Sequence, residues 1–365
     1  MSAHLLVALS AHGYGHFSQV APVINQLLVR QPDLQLTFRT TLPVDVLRQR
    51  ITHPFSVQPQ ADDFGMVMHN ALDVDVAASV AAYREVHADW DARVAKVAEE
   101  LRASGADLVL ADVPYLTLAA ARHAAIPSVA LCSLNWADVL HSYLGSAMPP
   151  DILAVMRDAY ASARRFLQPA PSMPMPALSS TNLQPIGPVC WPGQNRRAEV
   201  LARLGLSASV RLVLVGMGGM EFNVPVRGWP AHANNSPLHY LLPASWGAAG
   251  EGMCCIDAVG LPYSDILASV DVVITKPGYG MFVEAAAGGV PVLYVEREVW
   301  PDVPALEKWL GGLGHCRKIS RAALAAGELQ QPLQALLAAG RYQAVAPAGN
   351  AEAADCIHAL LCELS

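Results

Sequence analysis

The sequence predicts an α/β protein built as two doubly wound parallel-sheet domains facing across a cleft. Three observations predict it. Short apolar runs suited to buried strands alternate with segments of helical periodicity. A proline-dense stretch interrupts this alternation near the middle of the chain. The alternation then restarts, and each half contains a strand that runs into a glycine loop.

In chain order, His4 to Ser10 reads as a buried parallel strand, and Ala11 to His16 as a loop. Val20, Val23, Ile24, Leu27 and Leu28 then recur at helical spacing until Pro32. Leu34 to Arg39 is a second strand, and Ala77 to Ala103 a single long helical stretch stopped by Ser104-Gly105. Asp107 to Ala111, Thr117 to Ala125 and Pro127 to Cys132 read as strand, helix and strand. Seven prolines between Pro169 and Pro192 rule out a helix there and suit an interdomain connector, with Leu183 to Val189 as one short strand. Strands are expected again at Arg211 to Gly216, His239 to Leu242, Met253 to Asp257, Val270 to Thr275 and Val290 to Val295, with helices at Phe282 to Ala287 and Ala351 to Leu361. The expected division is residues 1–187, residues 188–349, and a terminal helix over 350–365 that packs back on the first domain.

The 365 residues are 53% apolar and 15% charged, enough for two buried cores. A net charge of −7 lacks the cationic footprint of nucleic-acid binding. No basic leader precedes the first strand, and no apolar run reaches membrane-spanning length. The seven cysteines form no CxxC pair and read as free thiols in a reducing compartment, so a cytoplasmic location is expected.

The two glycine loops carry the chemistry. In Ala11-His12-Gly13-Tyr14-Gly15-His16, Gly13 and Gly15 would let backbone amides approach an anion at a helix N-terminus. The third glycine of a dinucleotide fingerprint is missing, and neither Asp33 nor Asp45 clearly ends a second strand, so a nicotinamide cofactor is disfavoured. His16 stands where ligand chemistry occurs in open α/β sheets; it could take a proton from a hydroxyl, or only cap the loop. In Lys276-Pro277-Gly278-Tyr279-Gly280, backbone amides could hold a diphosphate, and Glu284, one turn later, could hold both ribose hydroxyls or simply favour the helix start.

The segment VDVVITKPGYGMFVEAAAGGVPVLYV (residues 270–295) resembles the donor site of MurG-type and diacylglycerol glycosyltransferases, and SAHGYGHFSQVAPVINQL (residues 10–27) their first loop and helix. DFGMVMHNALDVDVAAS and YVEREVWPDVPAL are closer still to the glycosyltransferase-like domain of the L-arabinokinase type. The resemblance implies a GT-B fold of two Rossmann-like domains, a nucleotide-sugar donor, usually UDP-linked, and no catalytic metal or other cofactor. By position it implies His16 as the base or the group near the donor phosphate. It makes Gly218, Gly219, Gly278 and Gly280 the diphosphate contacts, Ala258 and Val259 backbone for the nucleobase, and Glu284 the ribose ligand. Asp112 matches a position that orients the histidine; it could equally cap the helix from Thr117. Met281 departs from the family's hydroxyl residue, and Glu296, Arg297 and Asp302 replace its sugar-reading segment. Arg297 could pair with phosphate or sit in a surface salt bridge.

Other signals are weaker. Asp73-Val74-Asp75 has the form of a metal-binding DxD but precedes a helix, where acids favour the N-terminus. Arg157, Arg164 and Arg165 share an expected helix with Ile152, Leu153, Val155, Met156 and Phe166, a candidate for peripheral membrane contact. The expectation is a metal-independent glycosyltransferase of hexosyl or N-acetylhexosaminyl type. The alternatives are a nucleotide-sugar-binding module without transfer, or a nucleotide-sugar epimerase on the same fold.

Overall fold

The computed structural model describes residues 2–10, 12, 14–70, 72–145, 148–178, 182–218, 224–247, 250–297 and 300–364. Its first sheet holds β1 (His4–Ala8), β2 (Gln35–Arg39), β3 (Ser56–Gln58), β4 (Leu108–Ala111), β5 (Ser128–Leu131), β6 (Arg165–Pro169) and β7 (Leu183–Ile186). All are parallel, in the order β3-β2-β1-β4-β5-β6-β7. The second holds β8 (Arg211–Gly216), β9 (His232–Ala233), β10 (Ser236–Leu242), β11 (Met253–Cys255), β12 (Val272–Thr275), β13 (Val292–Val295) and β14 (Cys316–Ile319). Its order is β11-β10-β8-β12-β13-β14, parallel throughout, with β9 added antiparallel to β10. Both sheets therefore reverse their strand order once, between β1 and β4 and between β8 and β12. Crevices for ligands open at the carboxyl ends of strands at such reversals.

The helices are α1 (Tyr14–Arg30), α2 (Val44–Arg48), α3 (Val76–Ala88), α4 (Trp90–Ser104), α5 (Tyr115–Ala124), α6 (Trp136–Leu144) and α7 (Pro150–Ala161) in the first half. The second half has α8 (Arg197–Arg203), α9 (Tyr263–Ser269), α10 (Tyr279–Ala287), α11 (Val303–Gly312), α12 (Arg321–Ala326), α13 (Gln330–Ala339) and α14 (Gly349–Leu364). Strands β1, β4, β8 and β12 are apolar along nearly their whole length because helices cover both faces of each sheet. Each sheet thus has two apolar layers. Helix α14 returns to the first domain, where Ala353, Ala354, Ile357 and Leu361 join the layer of Val20 and Ile24 of α1.

The chain crosses between the domains twice, and the two crossings lie side by side. Gly187 and Gly349 abut so closely that a Cβ on either would collide with the other's backbone. Asn350 accepts from the Cys190 amide (3.1 Å) and donates to its carbonyl (2.9 Å).

Two expectations need correction. The stretch over residues 77–103 is two helices, because Asp89 leaves helical geometry (φ −119°, ψ 35°) and starts α4. The helix carrying Arg157 ends at Ala161, and Arg165 and Phe166 belong to β6, so no amphipathic basic face forms. Ile152, Leu153 and Met156 are buried, and Arg157 and Arg164 pair with Asp138 and Glu363. Among the described residues no helix is long and apolar enough to cross a membrane.

Candidate active site

The structure brings His16 and Asp112 together at the reversal point of the first sheet. His16 lies in the first turn of α1, after β1, and Asp112 directly follows β4. His16 Nδ1 is 2.7 Å from Asp112 Oδ2, and both side chains are buried. The other carboxylate oxygen, Oδ1, accepts from the Ser10 amide (3.0 Å) and the Val113 amide (2.7 Å), which fixes the carboxylate's plane. Asp112 is therefore not a helix cap; α5 starts after Pro114 with no side-chain cap. Burial pulls the His16 pKa down, but the Asp112 charge and hydrogen bonding outweigh it and hold the imidazole well above its ordinary value near 6.5.

The sign follows. A histidine whose folded pKa is raised adds stability that is fully present below about pH 6.5 and is lost as pH rises through the raised value. We expect an NMR titration to place His16 well above its ordinary pKa in the native chain. In Asp112→Asn the largest raising influence is gone, and burial is opposed only by the contact with Cys132, so the value should fall. An unchanged titration would remove Asp112 from the account.

Sequence reasoning missed Trp136 and Asp63 beside this pair, since they come from distant segments. Asn135 caps α6 by accepting from the Asp138 amide, and the Tyr160 hydroxyl accepts from the Trp136 amide, so the start of α6 is held firmly. The Trp136 indole then donates to Asp63 Oδ2 (2.7 Å), and its ring centroid lies 5.6 Å from that of His16. Burial first, then the Asp112 charge, raise the Asp63 pKa to about 7 despite His16. His12 packs edge-on against Trp136, and burial followed by the His16 charge lowers its pKa to about 3, so it stays neutral. Gly65, at φ +69°, is required here, because a Cβ would meet His12 at 2.7 Å and Trp136 at 2.8 Å.

Across the cleft, the reversal point of the second sheet presents Gly218 after β8 and Lys276 after β12. Gly218 is left-handed (φ +84°), and a Cβ there would come within 3.3 Å of Lys276 Cε. Burial, then Arg297, lower the Lys276 pKa to about 8. Gly278 precedes α10 in extended geometry and, like Gly15 at the start of α1, has open space where a side chain would stand. Gly280 faces α1 instead: a Cβ would meet Ser18 Oγ at 2.8 Å, so this glycine lets the domains touch. Gly13 and Gly219 lie outside the described residues.

Arg297 is buried rather than in a surface pair, with its guanidinium 4.0 Å above the Trp300 ring. Its Nε has no hydrogen-bond partner among the described residues, and burial lowers its pKa. Asp302 is buried nearby, its pKa raised to about 6 by burial against the pull of Arg297 and Lys276. Trp300 stacks on His12 (interplanar 2°) and joins the apolar layer of the first domain. Glu284 sits in the middle of α10, buried, and accepts from Arg50 Nη1 (3.2 Å) of the first domain. Burial raises the Glu284 pKa and Arg50 opposes it. Val259 is buried, and its carbonyl accepts from Arg203 (3.1 Å). Met281 accepts a hydrogen bond at Sδ from the Tyr263 hydroxyl (3.5 Å). The DxD residues are committed elsewhere: Asp75 caps α3, and Asp73 pairs with Arg321 (2.9 Å) across the domains.

This arrangement is the GT-B fold. The chain superposes on the glycotransferase of kitacinnamycin with a TM-score of 0.63, 17% identity, and coverage of 98% of this chain and 99% of that one. The calicheamicin glycosyltransferase CalG4 gives 0.62 at 19% identity over 100% of both chains. Arabidopsis thaliana UGT89C1 complexed with UDP gives 0.59 at 15% identity over 99% and 100%. At these identities the likeness shows the fold. In sequence, the chain is 27% identical over 319 residues to L-arabinokinase of Arabidopsis thaliana, covering 85% of this chain but 30% of that protein. The chain thus spans less than a third of that relative. No protein-family model matches the chain.

Proposed function

We propose that the protein is a glycosyltransferase that moves a hexosyl or N-acetylhexosaminyl group from a UDP-linked donor to an acceptor hydroxyl, without a catalytic metal. The observation that carries the reading is the opposition of two reversal points across one cleft, a His16–Asp112 pair on one side and the Lys276–Gly278 turn on the other. Solved neighbours with this fold hold UDP and UDP-L-rhamnose.

In this reading His16, in its neutral form, accepts the proton of the acceptor hydroxyl, and Asp112 stabilises the resulting imidazolium. The leaving diphosphate gains charge as the glycosidic bond breaks. Amides at the start of α10, Gly218, Lys276 and Arg297 meet that charge, a task that divalent cations perform in other transferases. Glu284 accepts from the ribose hydroxyls, Val259 borders the base, and Gly15 gives the donor close backbone approach. A cytoplasmic location fits free thiols. A second reading, binding without transfer, draws on Met281, whose thioether is engaged by Tyr263 and offers phosphate no hydroxyl.

Thermal denaturation against nucleotides and nucleotide sugars tests the reading. At a hundredfold excess over Kd, a true ligand stabilises by about 2.7 kcal/mol. UDP and a UDP-sugar should raise the melting temperature, with other nucleotides inferior; no shift with any nucleotide would reject the donor site. Stabilisation by a UDP-sugar with neither transfer nor hydrolysis would favour the second reading.

A further inference from the structure

Helix α10 follows β12 of the second sheet, yet Tyr279, Gly280 and Glu284 fasten it to the first domain. Tyr279 is its first residue, and the buried ring shares the second domain's apolar layer with Phe282 and Val283. The hydroxyl reaches beyond that layer to backbone. It accepts from the Val189 amide (2.9 Å) and donates to the Ala170 carbonyl (3.1 Å). Ala170 follows β6, and its own amide donates to the carbonyl of Ile186, the last residue of β7 (3.0 Å). Val189 lies on the first crossing between the domains, and its side chain belongs to the first domain's layer of α1 and α14. Both partners of the hydroxyl are therefore anchored in the first domain. Farther along α10, Gly280 abuts Ser18 and Glu284 accepts from Arg50.

The start of α10 has few other means of holding its shape. No side chain caps the helix. Gly278 and Gly280, on either side of Tyr279, have no side chain to pack. Phe282 makes the first bond of the ladder, to the Gly278 carbonyl (3.1 Å), and the amides before it have no partner within the helix. Such amides hold an anion only where they converge on it, so the tilt of the first turn decides how well they do so. A phenol hydroxyl that accepts from one backbone group and donates to another fixes that tilt. The hydroxyl is fully committed to this bridge, so any effect on a donor is indirect.

We infer that Tyr279 is the positioning residue of the diphosphate turn: by bridging Val189 and Ala170 it aims the first amides of α10 at the donor and ties their aim to the first domain, an assignment that rests on the donor reading above. The grip on the diphosphate then depends on this bridge. The grip on the nucleoside, farther along the donor, does not.

Tyr279→Phe keeps the ring in its layer and removes only the hydroxyl. Affinities of the full chain for UDP and for uridine, measured by ligand-observed NMR, separate a positioning role from a structural one. UDP affinity should fall about tenfold or more, the loss expected when one hydrogen bond to a charged group is weakened. Uridine has no phosphate, and its affinity should stay within about twofold. The melting temperature should fall under either role, because the Val189 amide and the Ala170 carbonyl lose their partner. A lower melting temperature with an unchanged ratio of UDP to uridine affinity would make Tyr279 structural only and overturn the inference. A second measurement needs no variant. Hydrogen exchange at the Val189 amide of the native chain should slow when UDP binds and stay unchanged with uridine, because only the diphosphate draws on the turn. Equal exchange with the two ligands would also overturn the inference. A native chain that does not bind UDP refutes the donor reading itself. UDP binding with an unmoved ratio refutes the role of Tyr279 alone.

Discussion

Replacing His16 with alanine is expected to cut turnover by roughly 10²–10⁴-fold, the usual contribution of a positioned general base. UDP affinity should stay close to that of the native chain. The separation follows from geometry. His16 lies at the first domain's reversal point with Asp112 at 2.7 Å, while Gly218, Lys276 and Arg297, proposed above to meet the diphosphate, belong to the other domain. The rate should also depend on pH in a defined direction. Because Asp112 holds the imidazole protonated, the neutral base accumulates only as pH rises through the raised pKa, so turnover climbs on the alkaline side of neutrality. Asp112→Asn should move that rising limb to lower pH and lower the plateau, since the imidazolium formed in transfer loses its counter-charge. Near-native turnover in a folded His16→Ala protein would end the base assignment.

Glu284→Ala should produce the largest loss in donor affinity. Hydrogen bonds to a charged group contribute about 1.5–3 kcal/mol each, so loss of even one ribose contact predicts a UDP affinity lower by about tenfold to more than a hundredfold. Affinity alone does not identify the contact, because Glu284 also anchors Arg50 across the domains. Comparison of UDP with 2′-deoxy-UDP does. The native chain should prefer the ribonucleotide, and Glu284→Ala should bind both equally weakly. A variant that loses affinity yet keeps the preference would show that Glu284 supports structure and that the ribose is read elsewhere.

The central strands of both sheets were legible because burial on two faces leaves them almost nothing but Leu, Val and Ile. β3, β6 and β14 were not. β3 (Ser-Val-Gln) is three residues at a sheet edge, and β14 (Cys-Arg-Lys-Ile) carries charge on an edge that water reaches. In β6, Arg165 and Phe166 followed an apolar helical pattern and read as its continuation. The glycine loops and His16 could be singled out because each follows a strand, and position after a strand is readable; Asp112 came from the family resemblance, with a helix cap equally open. Trp136, Asp63 and Arg50 could not, because their partners lie 73 and 234 residues away in the chain and no local spacing records such contacts. Arg297 shows the same limit in another form: its segment was identified, but burial against Trp300 is a tertiary fact.

The paired crossings at Gly187 and Gly349 set how the cleft can move. Two covalent tethers that touch each other, tied by Asn350 to Cys190, permit little sliding or twisting of one domain on the other. They leave rotation about the line through both as the motion of least resistance. Opening would then resemble that of a book about its spine. Such a rotation would have to part the contacts between the domains, among them Arg50 with Glu284, Arg321 with Asp73 and Trp300 with His12, which would together act as a clasp. Entry of substrate and escape of product would be timed by how readily that clasp lets go.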